Sequence, residues 1–170
     1  MKAVGYQTPG TIDREDALED ITLPRPTPTG RDLLVAVRAV SVNPVDTKVR
    51  RSAAPEPGQK KVLGWDAVGE VVAVGPDVTQ VAVGDHVVLS FVPACGECYQ
   101  CKHHQAYLCE KSAAQAAAGL LDGTTRLTSG GAPLHQMACL GTFCPYATAP
   151  EISTVKIPDD VPLDVAALIG

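Results

Sequence analysis

The sequence predicts a mainly β fold of short strands with small helices, and two observations carry that prediction. Gly (15) and Pro (14) are frequent and aromatic residues make up only 4% of the chain, a balance that suits many turns better than long helices. Val- and Leu-rich runs such as RDLLVAVRAVSV, residues 31–42, recur between turn signals. Four cysteines crowd into PACGECYQCKHHQAYLC, residues 93–109, a loop with no apolar core of its own.

The elements follow in order. Residues 1–6 read as a short strand, and 13–20 as a solvated loop or short helix. Residues 21–28 hold three prolines and suit an edge strand entering a turn. Residues 31–42 read as a long strand buried on much of both faces. A short helix follows over 43–51, with Asn43 as cap and Pro44 in the first helical position. Residues 53–60 are loop material, and 62–74, VLGWDAVGEVVAV, form one strand whose Gly64 and Gly69 mark a bend or a close approach. Residues 81–89 give another strand, interrupted at Gly84-Asp85. The Ala-rich stretch 112–121 is expected to be helical, with strands at 141–148 and 152–157. A last helix begins in PLDVAALI, 162–169, with Asp159 or Asp160 as cap.

Composition narrows the function. The chain has 170 residues, 45% hydrophobic and 19% charged, enough for one domain with a core. A formal charge of −5 weighs against nucleic acid or an anionic membrane as partner. No window approaches 18 consecutive apolar residues, and the start MKAVGYQTPG is not a secretory signal. A cytoplasmic location is the expectation, and in a reducing cytosol clustered cysteines favour metal over disulfides.

Cys95, Cys98, Cys101 and Cys109 are spaced C-x2-C-x2-C-x7-C. Zinc takes four tetrahedral ligands and thiolate suits it. Gly96 eases the tight turn between the first two cysteines. The alternatives are two disulfides, four reduced thiols or an iron–sulfur cluster; cysteines three apart reach disulfide geometry poorly, and no further cluster-like run is present. His103 and His104 can in principle replace one cysteine but are expected at the surface. A site of four thiolates is closed, so its metal shapes a loop and does no Lewis-acid work. Cys139 and Cys144 read as buried small hydrophobes.

These features, in this order, resemble the medium-chain dehydrogenase/reductase superfamily of zinc alcohol dehydrogenases and quinone reductases. The cysteine loop resembles the structural zinc lobe of the alcohol dehydrogenases. SVNPVDTK (41–48), LGWDAVGEVVAVG (63–75) and VGDHVV (83–88) resemble that family's catalytic domain. The resemblance implies a mainly β, GroES-like, partly open β-barrel with short helices and a four-cysteine zinc lobe. It also implies the division: residues 1–158 as the GroES-like catalytic domain, the lobe at 93–110, and 159–170 as the start of a linker helix to a nucleotide-binding domain. The first half is similar to the zinc-free branch and the second to zinc-containing members, a mosaic with its seam near 84–90.

The resemblance further implies a second, open zinc site, and here the sequence departs from the pattern. Asn43 stands where the family has its first cysteine ligand, Trp65 where it has a histidine, and Val45 where it has a proton-relaying hydroxyl. The third ligand would follow Gly170 directly. Asn43 and Asp46 match the zinc-free branch's N-x-x-D pattern, which places Asn43 near the nicotinamide; the competing reading is a capped and braced helix. Trp65 packs the core or lines a substrate cleft. No G-x-G-x-x-G occurs in these 170 residues, so an NAD(P) seat is expected only in a further domain, as is any homo-oligomer contact. The expectation is an N-terminal domain of an NAD(P)-dependent oxidoreductase for small-molecule alcohols, carbonyls, quinones or enones, with one structural Zn2+ and no turnover alone. The alternative is a non-catalytic zinc-stabilised binding module or an engineered chimeric fragment.

Overall fold

The computed structural model describes residues 1–112 and 119–169. Alternation and β-branched runs build two sheets. In the first, β1 (Lys2–Tyr6) lies between the edge strand β2 (Glu19–Thr22) and β4 (Lys61–Val62). Short β9 (His135–Gln136) pairs parallel with β4. The second sheet runs β10 (Tyr146–Pro150), β3 (Asp32–Ser41), β5 (Asp66–Val74), β6 (His86–Leu89) and β11 (Thr154–Lys156), all antiparallel. A small hairpin joins β7 (Thr128–Ser129) to β8 (Ala132–Pro133). The helices are short: α1 (Pro44–Ser52), α2 (Tyr99–Lys102) and α3 (Leu163–Ala166).

The sheets close on one another as a partly open barrel. Leu33, Val35, Val62, Val71, Val87 and Leu89 are wholly buried at its centre. The first half of β3 is buried on both faces and the second half alternates, after a bulge between Val37 and Ala39. A smaller cluster around Tyr6, Leu63 and Met137 gathers Val45, Trp65 and Phe143. There the Tyr6 hydroxyl donates to the Val49 carbonyl at 3.0 Å, and burial pushes its pKa up to about 12.

Several boundaries differ from the sequence reading. Residues 62–74 are not one strand: Gly64 sits at φ +89°, and the chain turns there from β4 in the first sheet to β5 in the second. The strand expected over 81–89 is limited to His86–Leu89, because Asp85 closes the preceding turn by accepting the Ala82 N–H at 2.9 Å. The strand expected at 141–148 begins only at Tyr146, since Thr142 and Phe143 instead bond back to Gly64 and Leu63. The last helix is one turn, and Pro162, not Asp159 or Asp160, stands at its N-cap. The helix expected over 112–121 falls largely on residues 113–118, outside the described residues.

Candidate metal centre

The cysteine lobe leaves the barrel after β6, where the Ser90 N–H bonds the Ser153 carbonyl at 2.8 Å. Gly96 at φ +72° turns the chain back on itself, a conformation glycine adopts without steric cost. Cys98 then caps the single turn of α2, which carries Cys101. A 3-10 turn over Ala106–Leu108 delivers Cys109. The four Sγ atoms thereby come within 4.8 Å of one another. All six cysteines stand as free thiols. Thiolates at about 2.3 Å from a tetrahedral zinc stand roughly 3.8 Å apart, and Cys95 Sγ lies 3.9 Å from Cys101 Sγ. The donor set fits zinc in kind and in spacing.

Backbone amides line the same nest. Cys95 Sγ accepts the N–H of Glu97 at 3.4 Å and of Cys98 at 3.3 Å, and Cys109 Sγ accepts the N–H of Cys95 at 3.3 Å. The Glu97 and Cys98 amides pull the Cys95 thiol down to about 6. Amides of Cys101 and Glu110 lower Cys98 as well, whereas burial pushes Cys101 up to about 12. A divalent cation would reverse that last direction, since coordination favours the thiolate. His103 and His104 are exposed. His103 stacks on the Tyr99 ring at 3.9 Å, and its Nδ1 lies 2.7 Å from the Tyr99 carbonyl; the cluster of candidate ligands comprises the four cysteines. Cys139 and Cys144 are buried elsewhere in the fold, with burial raising each thiol to about 12.

The structure places Asn43 and Asp46 at the start of α1 and ties both to β5 or its approach. Asp46 accepts the Asn43 N–H at 2.8 Å and the Gly64 N–H at 3.2 Å. Burial raises its pKa, those two amides oppose the rise, and the Asp66 charge adds to it. The Asn43 side-chain amide donates to Asp66 Oδ2 at 2.6 Å and to the Ser41 carbonyl at 3.4 Å. Trp65 stacks on Phe91, centroids 4.4 Å apart. An amide spent on a carboxylate, an indole stacked on a phenyl ring and the Val45 side chain do not fit a catalytic zinc.

Sequence reasoning missed the Asn43–Asp66 bond, the Trp65–Phe91 stack and one buried acid. Glu151 is 2% exposed; it accepts the N–H of Thr79 at 2.7 Å and that of Gln80, and pairs with Arg31 at 2.5 Å. Burial alone would raise its pKa, but the two amides and Arg31 outweigh burial and hold it low. These partners lie 23 to 120 residues apart along the chain, and no local pattern signals such pairs.

The family described as alcohol dehydrogenase GroES-like domain matches residues 29–159. The NDMA-dependent alcohol dehydrogenase of Amycolatopsis methanolica is 42% identical over 109 residues, 64% of this chain and 29% of that protein. An alcohol dehydrogenase zinc-binding domain protein from Burkholderia ambifaria superposes with a TM-score of 0.87 at 32% identity, covering 99% of this chain and 45% of that one. Benzyl alcohol dehydrogenase from Acinetobacter calcoaceticus gives a TM-score of 0.80 at 30% identity, covering 98% and 44%. The chain thus spans less than half the length of these relatives. With its barrel, its cysteine lobe and these matches, the chain belongs to the GroES-like domain family of the zinc-type alcohol dehydrogenases, within the medium-chain dehydrogenase/reductase superfamily.

Proposed function

We propose that this chain is the substrate-side domain of an NAD(P)-dependent alcohol dehydrogenase-like oxidoreductase, and that Cys95, Cys98, Cys101 and Cys109 hold one structural zinc. The observation that supports the zinc is the gathering of four Sγ atoms within 4.8 Å in a loop with little core of its own. Zinc binding of roughly 10–16 kcal/mol in small peptides suffices to order such a loop. The substrate class, small alcohols and carbonyls, comes from the relatives.

Residues 43–66 supply no catalytic metal site in this reading. Asn43 and Asp46 instead fix the start of α1 against β5, on the side where the family's nicotinamide would approach. Hydride transfer needs a seat for the cofactor pyrophosphate, and these 170 residues hold no G-x-G-x-x-G turn. Incubation of the purified chain with NADH or NADPH and a panel of aldehydes, enones, quinones and alcohols is expected to give no turnover. Turnover that follows the protein through purification contradicts the reading.

A further inference from the structure

We propose that Lys61 is a carbonyl-reactive amine, a modification site that condenses reversibly with small aldehydes. The proposal rests on the surroundings of this side chain and does not depend on the zinc reading. Lys61 is 6% exposed, and lysine is almost never so enclosed unless it is paired. Three other lysines have carboxylate partners: Lys60 with Glu19, Lys111 with Glu97 at 3.3 Å and Lys156 with Asp85 at 2.6 Å. Buried Arg50 likewise donates to the Gly10 carbonyl at 3.0 Å. Among the described residues, no ion pair and no hydrogen bond holds the Lys61 ammonium.

The fold explains the enclosure. Lys61 opens the two-residue strand β4, with Tyr6 directly opposite on β1 and His135 beside it on β9. Both neighbours are buried. Tyr6 supplies no counter-charge, since burial pushes its pKa up to about 12 and the phenol keeps its proton. Glu19 is already taken by Lys60. Burial without a counter-charge lowers the Lys61 pKa, because a buried amine disfavours its charged form. A desolvated lysine of this kind is an activated nucleophile. The loop before it, residues 53–60, is half-buried or exposed throughout, so β4 starts at the surface.

The condensation balances without an oxidant or reductant. The lone pair of the neutral Lys61 nitrogen attacks the aldehyde carbon, and the C=O π pair moves to oxygen. A proton passes from nitrogen to that oxygen, giving a carbinolamine. Loss of the hydroxyl and the second N–H proton as one water leaves the C=N bond of an imine. Hydrolysis runs the same steps backwards and restores the amine. Small exposure at Lys61 favours small aldehydes over bulky ones.

The test treats the full chain at neutral pH with limiting propanal and cyanoborohydride, which reduces each imine to a stable secondary amine. Peptide mass mapping then reads the label at every lysine, with fragmentation that separates Lys61 from Lys60. Lys61 is expected to label at least about twofold faster than the exposed Lys48 and Lys102, since the neutral fraction of an amine rises as its pKa falls. In concentrated urea that preference is expected to vanish, because it comes from the fold. Lys61→Arg keeps the charge, forms no imine, and is expected to lose this label alone. Lys61 left unlabelled, or labelled no faster than Lys48 and Lys102, overturns the proposal. A preference that persists in urea also overturns it, since the local sequence then explains the reactivity. If Lys61→Arg does not fold, the comparison of native and unfolded natural chain decides by itself.

Discussion

Glu151 shows how much one side chain can carry. Its carboxylate satisfies two amides of the turn before β6 and one guanidinium from the start of β3. Glu151→Gln keeps the volume and loses the charge, and is expected to cost about 2–3 kcal/mol, since hydrogen bonds to charged groups are the stronger ones. Its folded pKa lies below the ordinary 4.5, so its contribution is fully present above that value. The contribution is lost as pH falls through the folded pKa. Denaturant titrations from pH 7 to 3 are expected to show a steeper acid loss in the natural chain than in Glu151→Gln; equal slopes contradict this role. Asp66 is read in the same way: Asp66→Leu removes the acceptor for the Asn43 amide and is expected to destabilise the chain by roughly 1–3 kcal/mol.

At the scale of elements, Gly64 sets the passage between the sheets. Its φ of +89° favours glycine, and an added Cβ would lie 2.4 Å from the Phe143 ring and 2.5 Å from Thr142 Oγ1. Gly64→Ala combines backbone strain with overpacking, and a loss of about 2–4 kcal/mol is expected by urea denaturation; a loss under about 0.5 kcal/mol contradicts the packing described. Gly69 is tight for another reason: its missing Cβ would stand 2.2 Å from the Ala36 carbonyl across the β3–β5 pairing. Both glycines were legible as interruptions of a Val-rich run. Which one turned the chain and which one let strands approach was not, because the answer depends on a strand some 30 positions away. Helix α1 was legible whole, since Asn-Pro at its start and Asp46 three residues on are local signals.

For the whole molecule, the mainly β class and the cysteine lobe could be read directly, because turn chemistry and ligand spacing are local. The sheet order could not: β10 reaches β3, and β11 reaches β6, across more than 60 residues of chain. The short strands β7, β8 and β9 escaped notice because two residues carry no period. The site near Asn43 was legible as a departure from a pattern, while its replacement, an amide–carboxylate bond beside an aromatic stack, emerged only from the fold. The barrel stands on its apolar core, and on the proposed zinc reading the lobe stands on its metal. Strong chelation is therefore expected to raise hydrogen exchange near 95–109 and leave the amides of β3 and β5 protected.

The most direct test is elemental analysis of the purified chain combined with X-ray absorption at the zinc edge. About one zinc per chain is expected, ringed by four sulfurs at roughly 2.3 Å. No bound zinc, a second equivalent, or nitrogen and oxygen in the coordination shell would contradict it.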